Sequence, residues 1–383
     1  MGIYLDYNAS TPIDERVLDV MVDVYKNAYG NSDSRTHTYG DDARKVVEAA
    51  RFQVAKLLGV ESGEVFFTSG ATESNNIAIR GLIEYANGSG KKHVITSAIE
   101  HKSILETVKS LEREGFEVDL VSPDESGRVD SRTIISLLRE DTLLVSLMHA
   151  NNETGIIQPI KEIGDVLKKK GILFHVDATQ SCGKLIPELK NAKYNMLSLS
   201  AHKFGGPQGV GALILRKKQY KLPPVKAIAF GGRQERGVRP GTVPVPLVAG
   251  LGKACELADV EYSENIIQYF EKKQAVTELI EKSGLKYLIN GDQEYCMPNT
   301  INVSFLGVES EALMLSSKQY CSISNGSACT SHDYSPSYVL MAMGLDVDRV
   351  SSAIRISWGA KMDKEELVSN LASLIEIAKG LVC

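Results

Sequence analysis

Short apolar runs alternate with amphipathic stretches through the first two-thirds of the chain. Each run is rich in valine, isoleucine, leucine or phenylalanine, which is typical of buried strands; the runs cover residues 65–67, 93–95, 143–147, 172–176 and 211–215. Between them apolar positions recur at helical spacing, as in residues 46–58, where Gly59 follows as a typical C-cap. The alternation predicts an α/β fold with a mostly parallel sheet covered on both faces.

The pattern changes at about Val243, where helical spacing becomes dominant. Two long helical stretches, a strand candidate and a final helix are expected at residues 246–257, 261–282, 302–305 and 364 to about 381. This order is typical of a second, smaller α+β domain. We therefore expect a large domain of residues 13–255 and a small domain of residues 1–12 together with 256–383.

Composition and charge exclude several classes of protein. The 383 residues include 43 basic and 48 acidic side chains, and the net charge of -5 gives no general attraction to nucleic acid. The first residues contain neither a basic segment nor an apolar stretch of the secretory kind, and no apolar run approaches the length of a membrane span. We expect a cytoplasmic protein without direct contact to nucleic acid or membrane.

The six cysteines are scattered along the chain and form no Cys-x-x-Cys pair. This spacing argues against a zinc site and against a disulfide framework, so no metal centre is predicted. In a reducing compartment most of these thiols would behave as small buried apolar side chains. A reactive cysteine must therefore be recognised by its neighbourhood.

One lysine stands at an unusual place. The strand-like run 197–200 ends in Ala201-His202-Lys203, and glycines follow at 205, 206, 209 and 211. Glycines let a backbone approach a ligand closely, and a desolvated lysine can attack a carbonyl carbon as a Schiff-base nucleophile. The alternative is a solvated lysine, the usual state of this residue type.

An acid and an amide follow another apolar strand. Asp177 ends the run 174–177, and Gln180 lies three residues further on. A carboxylate buried at a strand end needs a cationic partner, which the protonated nitrogen of a pyridoxal ring would supply. The alternative for Asp177 is a helix N-cap.

Three more polar segments follow predicted strands. The segment 68–76 carries hydroxyl groups ahead of a helix, which suits a phosphate at a helix N-terminus, although a capping box with Glu73 is an alternative. His101 follows the strand near residue 95, where it would be structural or would stack on a ring and handle protons. Amide side chains at 151 and 152 complete the same edge of the sheet.

Six motifs in fixed order carry a family resemblance. They are Gly70-Ala71-Thr72-Glu73-Ser74-Asn75-Asn76, Glu100-His101-Lys102, Asn151-Asn152-Glu153, His175-Val176-Asp177-Ala178-Thr179-Gln180, Ser200-Ala201-His202-Lys203 and Gly326-Ser327-Ala328-Cys329-Thr330. Together they resemble the pyridoxal-phosphate cysteine desulfurases of the NifS/IscS type, in the class V aminotransferase-like family. The resemblance covers the chain essentially end to end, and it implies fold type I.

The resemblance implies how the cofactor pyridoxal 5'-phosphate is held. Lys203 would form a Schiff base with it, and His101 would stack on its ring. Asp177 would pair with the pyridine nitrogen and Gln180 with the phenolic oxygen. The remaining cofactor contacts would come from Asn152 and from a set of residues around the phosphate, of which the last belongs to the second subunit of a homodimer: Ala71, Thr72, Ser200, His202 and Thr242.

The resemblance also implies the reaction. Arg355 would bind the carboxylate of L-cysteine, with Asn152 touching the substrate, and Lys203 and His101 would move protons. Cys329, in a loop of about residues 322–335, would take the sulfur from a ketimine of the cofactor as a persulfide, leaving L-alanine. Its small, polar neighbours indicate an exposed segment rather than core. An acceptor protein would then receive the sulfur.

The sequence leaves open which pathway receives the sulfur, and it allows alternative activities. Asn325 before Gly326, and Ser357-Trp358 after Arg355, look more like the branch that serves DNA phosphorothioation; iron-sulfur cluster or thio-cofactor assembly is the other route. A selenocysteine lyase or another class V enzyme is the alternative activity. Two further alternatives are a non-catalytic scaffold that has lost the cofactor and a nicotinamide-dependent dehydrogenase. The second is disfavoured because this sequence lacks the glycine fingerprint of dinucleotide-binding proteins.

Overall fold

The structure of the chain is a computed structural model that describes residues 2–326 and 336–382. Its strands, in chain order, are β1 Ile3–Tyr4, β2 Val65–Thr68, β3 His93–Ser97, β4 Glu117–Val121, β5 Thr142–Met148, β6 Leu173–Asp177, β7 Met196–Ser200, β8 Gly211–Leu215, β9 Tyr287–Ile289, β10 Thr300–Phe305, β11 Cys321–Ser322 and β12 Ala353–Ser357.

The helices cover the sheets and connect them. They are α1 Glu15–Asn27, α2 Thr38–Leu58, α3 Ala71–Arg80, α4 Ile83–Ser89, α5 Lys102–Glu112, α6 Ser131–Ser136, α7 Ile160–Lys170, α8 Ile186–Asn191, α9 Val245–Val260, α10 Tyr262–Glu281, α11 Ser310–Ser317, α12 Tyr338–Ala342, α13 Val347–Ser351 and α14 Lys364–Gly380. A short 3-10 helix, Ala201–Lys203, follows β7 directly.

Seven strands form the large sheet in the order β2-β8-β7-β6-β5-β3-β4. Neighbouring strands from β7 to β4 are parallel, whereas β8 pairs antiparallel with both β7 and β2. Every residue of β3, β5, β7 and β8 is buried, as expected for strands covered on both faces. The expected α/β fold with a mostly parallel sheet is confirmed, and the reversed β8 is the feature that the apolar pattern did not predict.

A smaller antiparallel sheet, in the order β12-β10-β9, lies in the C-terminal part of the chain. Its apolar residues cluster with α10 and α14 and also with Ile3 and Leu5 from the N-terminus. The two long helices expected after residue 243 are α9 and α10, and the final helix is α14. The division into residues 13–255 and residues 1–12 with 256–383 stays a prediction.

The edge strand β2 is covered by charged side chains rather than by another strand. Glu235 accepts a hydrogen bond from the Phe67 N–H at 2.8 Å, and Arg51 and Arg236 each donate to the Val65 carbonyl. Arg51 and Glu235 are both buried and form an ion pair at 2.8 Å. Since β2 leads directly into the turn before α3, these contacts support the start of α3, and they pair the Phe67 N–H and the Val65 carbonyl at that edge of the sheet.

Candidate active site

The functional residues predicted from the sequence lie where the parallel strands end. The carboxyl ends of such strands meet at one edge of a sheet, and ligands bind in the crevice beyond them. The crevice here is a cavity of about 440 Å³. Ten of the twelve predicted site residues line it: Ala71, Thr72, His101, Asn152, Asp177, Gln180, Ser200, His202, Lys203 and Arg355.

The other two predicted site residues are not in this group. Thr242 is exposed and is not among the residues that line the cavity, so within one chain it is not part of the site. Cys329 lies outside the described residues, as does most of the loop expected at about 322–335. Gly326, which precedes the undescribed segment, lines the cavity.

Lys203 is held at the end of the short 3-10 helix after β7. Its ammonium group donates to the main-chain oxygens of Asn8 and Ala9, at 2.7 and 2.8 Å. The Gln180 side-chain amide donates to the same Asn8 oxygen at 2.9 Å. Lys203 is therefore a fixed, partly buried amine at the cavity wall rather than a solvated surface lysine. No role was predicted for Asn8, because its main-chain oxygen is the acceptor and a main-chain atom leaves no signal in the sequence.

Asp177 is a buried carboxylate at the end of β6, with 5% of the residue exposed. It accepts hydrogen bonds from the Asn75 amide at 2.9 Å, from the Thr179 N–H at 2.9 Å and from the Thr179 hydroxyl group. Within the described ranges no Lys, Arg or His nitrogen lies within 4.0 Å of it as an ion-pair partner. A buried carboxylate that faces a cavity with only neutral partners can accept a cationic ligand group.

His101 caps helix α5 and also lines the cavity. Its Nδ1 accepts from the Ser103 N–H at 3.1 Å, so the neutral ring carries its proton on Nε2. Burial lowers the pKa of His101, which favours this neutral ring. The structural and the functional interpretation of His101 are therefore compatible.

A chain of hydrogen bonds connects His101 to Asp177. The Asn75 amide donates to Asp177 and also to the Ser103 hydroxyl at 2.9 Å, and that hydroxyl contacts His101 Nδ1 at 2.9 Å. Asn75 stands within the motif of residues 70–76 but had no predicted role, and no part was predicted for Ser103. The burial that gives Asn75 its role becomes visible only in the structure.

The turn before α3 forms an opening for an anion. Gly70 stands at the N-cap with φ 149° and offers no side-chain oxygen to the first N–H groups of the helix. The Glu73 carboxylate accepts from the Ser69 N–H and pairs with Arg239 at 3.0 Å, so the capping box with Glu73 is not formed at this helix. Thr72, in the first turn of α3, Ser200 and His202 also line the cavity, and the Ser200 Oγ lies 3.5 Å from the place that a Cβ on Gly70 would take. Helix N–H groups and hydroxyl groups together suit a phosphate.

His202 contributes a neutral imidazole to this region. Burial, followed by the nearby positive charges of Lys203 and Lys184, lowers its pKa to about 4. Its Nδ1 lies 3.2 Å from the Ser10 hydroxyl oxygen. At neutral pH the uncharged ring can therefore donate one N–H hydrogen bond to a ligand.

Arg355, in β12, is 4% exposed and lies at the side of the cavity. Its guanidinium donates to the Asn152 main-chain oxygen at 2.8 Å and forms an ion pair with Asp6. Asp6, for which the sequence predicted no role, supplies this buried arginine with an anionic partner within the chain. The Nε of Arg355 is buried and has no hydrogen-bond partner among the described residues, so that it can donate to a further acceptor.

Two other buried polar atoms of the cavity also have no partner within the described part of the chain, the Asn152 Oδ1 and the Gln180 Oε1. Buried polar atoms are paired in most proteins, and unpaired ones cost stability. With the open anion site and the unneutralised Asp177, they fit a polar aromatic phosphate such as pyridoxal phosphate. The described residues contain neither a group of ligands suited to a metal ion nor a helix with the length and apolar character needed to cross a bilayer.

The described cysteines are poor nucleophiles. Cys182, Cys255, Cys296 and Cys321 are all buried free thiols. Burial raises the pKa of each, to about 12 for Cys182 and Cys321, so very little thiolate exists at neutral pH. A reactive thiol therefore has to come from Cys329 or Cys383, which lie outside the described part of the chain.

Comparison with known proteins places the chain in a family. The model of the family "Aminotransferase class-V" matches residues 3–369. A cysteine desulfurase IscS of Anaeromyxobacter sp. (strain K) is 44% identical over 95% of this chain and 89% of its own length. A solved NifS-like protein has a TM-score of 0.91 at 38% identity and covers both chains completely. The crystal structure of DndA from Streptomyces lividans has a TM-score of 0.81 at 40% identity, over 93% of this chain and 99% of its own.

The chain therefore belongs to the class V aminotransferase family, and this membership implies dependence on pyridoxal phosphate. Within that family it stands with the cysteine desulfurases of the IscS/NifS type. Both statements confirm the resemblance inferred from the sequence motifs, and the fold of the structural relatives confirms the expected class of architecture.

Proposed function

We propose that this chain is a pyridoxal-phosphate enzyme that converts L-cysteine to L-alanine, takes the sulfur onto Cys329 as a persulfide and passes it to an acceptor protein. The observation that carries the proposal is the single cavity that gathers an amine, an unneutralised carboxylate, an anion site and a buried arginine. These four elements would bind the four corresponding groups of an amino acid joined to this cofactor: the point of attachment, the ring nitrogen, the phosphate and the carboxylate of the amino acid.

The residues of the cavity would hold the cofactor at both ends. The start of α3 with Ala71, Thr72, Ser200 and His202 would bind the phosphate, and Asp177 would pair with the ring nitrogen. Gln180, His101 and Asn152 would contact the ring and its substituents. When bound, pyridoxal phosphate withdraws electrons from the Cα of an attached amino acid, so that its proton can be removed.

Lys203 is proposed to attach the cofactor and then to remove the Cα proton of the substrate. A neutral amine is needed for both tasks, and a buried lysine loses its proton more readily than an exposed one. His101 is a neutral ring with its proton on Nε2, so near neutral pH it donates a hydrogen bond from that N–H; to deliver a proton, the ring must first take one up.

Arg355 is proposed to bind the substrate carboxylate. Its ion pair with Asp6 and its bond to the Asn152 oxygen fix the plane of the guanidinium before substrate arrives. The Nε, which no described residue accepts from, provides a donor for a carboxylate oxygen, and charge-assisted bonds of this type are strong and directional.

Sulfur transfer needs a thiolate near the substrate sulfur. The Cys329 thiolate would attack that sulfur and form an S–S bond while the C–S bond breaks. The electron pair of the broken bond stays on the carbon, which takes up protons and leaves as alanine. The balance is cysteine plus enzyme thiol to alanine plus enzyme persulfide, so that no external oxidant is required. The sulfur acceptor is proposed to be a protein of DNA phosphorothioation or of iron-sulfur cluster or thio-cofactor assembly.

A homodimer is part of the proposal, because Thr242 would reach the phosphate from the second subunit. Thr242 is exposed in the single chain, as a residue that serves a neighbouring subunit would be. A cytoplasmic location without direct nucleic-acid or membrane contact completes the proposal.

Borohydride trapping tests the centre of this proposal. We expect the purified protein to be yellow with pyridoxal phosphate and borohydride reduction to leave the pyridoxyl label on the peptide containing Lys203. The Lys169→Ala variant, changed at an exposed lysine of α7, should be labelled in the same place. A label on any other lysine, or none after cofactor addition, would contradict the proposal.

Substitution of Arg355 tests the substrate site. The Arg355→Lys variant should raise KM for L-cysteine by about 10- to 100-fold, since a point charge replaces a planar donor pair. Its activity with cysteamine, which has no carboxylate, should change less than about threefold. Steady-state kinetics with both thiols measure this difference, and Arg132→Lys at the surface serves as the control. Equal losses for the two substrates would refute carboxylate binding by Arg355.

A further inference from the structure

A second lysine, Lys184, lies behind Lys203 and has no task in the reaction described above. The residue is 3% exposed. Its Nζ donates to the Lys203 main-chain oxygen at 2.9 Å and to the Gln180 main-chain oxygen at 3.2 Å. Both acceptors belong to residues that line the cavity from the other side.

The burial of Lys184 carries a free-energy penalty. No carboxylate of the described residues lies within 4.0 Å of its ammonium group as an ion-pair partner, and both acceptors that hold it are uncharged. Burial, followed by the positive charge of Lys203, lowers the pKa of Lys184 to about 7. An apolar side chain of similar length would fill the same space without this cost, so packing alone does not account for Lys184.

The hydrogen bonds around Lys184 close into a ring. Lys184 joins the main-chain oxygens of Lys203 and Gln180 from behind. In front, the Asn8 main-chain oxygen accepts from both the Lys203 ammonium and the Gln180 side-chain amide. The ring therefore fixes both the main chain and the side chain of Lys203 and Gln180. These two residues line the cavity from separate turns, one after β7 and one after β6.

The two turns also touch beside this ring. Gly183 has φ +78°, and a Cβ at that position would lie 2.9 Å from the Phe204 Cβ. No side chain fits between them, so the glycine before Lys184 packs directly on the residue after Lys203. The main chains are thus close enough for one ammonium group to bridge them.

We propose that Lys184 is a positioning residue that sets the placement of Lys203 and Gln180 toward the cofactor by binding both of their main-chain oxygens. The proposal rests on the proposed function, in which Lys203 attaches the cofactor. Lys184 itself touches neither cofactor nor substrate.

The charge of Lys184 acts in the same direction as its hydrogen bonds. A nearby positive charge disfavours the protonated form of Lys203, which is the form that cannot act as a nucleophile. The ionisable groups that interact with Lys184 besides Lys203 are Cys182 on its own turn and His202 beside Lys203, and Tyr7, Tyr269, Asp363 and Glu366 line the cavity behind it. Asp14 and Glu261 line the same cavity, but they are paired with Arg16 and Lys361.

Three variants separate these contributions. Lys184→Met removes donors and charge, Lys184→Gln keeps a donor without the charge, and Lys184→Arg keeps both. Lys170→Met, at an exposed lysine of α7, is the matched control. Each holoenzyme is measured by pH titration of the absorbance of its Lys203 Schiff base, by steady-state kinetics and by thermal unfolding.

For Lys184→Met we expect the titration midpoint to move up by about one pH unit, because the repulsion on Lys203 is lost. Its kcat should fall about tenfold while KM for L-cysteine stays within about twofold, since Arg355 is untouched. Lys184→Gln should recover part of kcat but keep the shifted midpoint, and Lys184→Arg, whose charge does not titrate, should have a midpoint at or below that of the wild type.

An unshifted midpoint and unchanged kcat in Lys184→Met would overturn the proposal. If that variant does not fold, the decision passes to the other two: wild-type kcat in Lys184→Gln, together with the same midpoint in Lys184→Gln and Lys184→Arg, would overturn it as well. Borohydride labelling of the wild-type protein separates this result from the proposed function. A label at Lys203 with no effect of Lys184 refutes only the positioning role, whereas a label elsewhere refutes the function.

Discussion

Replacing Lys203 by alanine is expected to lower kcat for L-cysteine by about 10⁴-fold or more, the scale on which loss of a well-placed proton-transfer group is felt. The amine that attaches the cofactor and the base that removes the Cα proton are lost together. The cofactor should still bind through its phosphate and ring contacts, but it should be removed by dialysis. Alanine formation and the absorbance of the dialysed protein measure both effects.

Two additional measurements make the Lys203→Ala result specific. A small primary amine such as methylamine should restore part of the turnover, because it can occupy the space of the missing side chain and accept the proton. Thermal unfolding should show a loss of no more than about 1–3 kcal/mol, from the two bonds to Asn8 and Ala9. A variant that keeps more than a tenth of wild-type activity would exclude Lys203 as the base.

Replacing Cys329 by serine is expected to abolish persulfide formation and to reduce turnover about a thousandfold or more, as loss of a reaction nucleophile does in other enzymes. The variant should keep the yellow Lys203 adduct and should still bind L-cysteine through Arg355. Mass spectrometry of the protein after a single addition of L-cysteine measures the extra sulfur atom.

Cysteine variants elsewhere provide the controls for this result. Cys383→Ser should behave as the wild type. It is the more important control, because Cys383, like Cys329, lies outside the described residues. Cys321→Ser removes a buried thiol whose pKa is raised to about 12, and it too should retain the persulfide. A persulfide in Cys329→Ser that disappears in either of these variants would move the nucleophile to that other cysteine.

Local pattern predicted the secondary structure well where one periodicity dominated. The apolar runs became strands of the large sheet, and the long helical stretches after residue 243 became α9 and α10. The helix expected over 46–58 begins earlier, at Thr38, because His37 caps it with a side chain that the apolar spacing does not reveal. The reversal of β8 also left no local signal, since a buried strand has the same composition in either direction.

The motifs predicted which residues line the cavity, but not what holds them. Asp6, Asn8 and Lys184 contact Arg355, Lys203 and Gln180 from segments remote in sequence or through main-chain oxygens. A main-chain oxygen is present in every residue, so the pattern of side-chain types in the sequence cannot predict which main-chain oxygens act as acceptors. Thr242 is exposed within one chain, and its predicted role depends on a second subunit.

By itself the sequence determined the class of fold, the family and the set of chemical groups at the edge of the sheet, because apolar periodicity and motif order are local properties. Only the tertiary structure decided which charges meet: that Asp6 neutralises Arg355, that Asp177 keeps neutral partners and that a second buried amine lies behind Lys203. The physical reason is that charge, burial and hydrogen bonding act over a few ångströms in space, where segments hundreds of residues apart become neighbours.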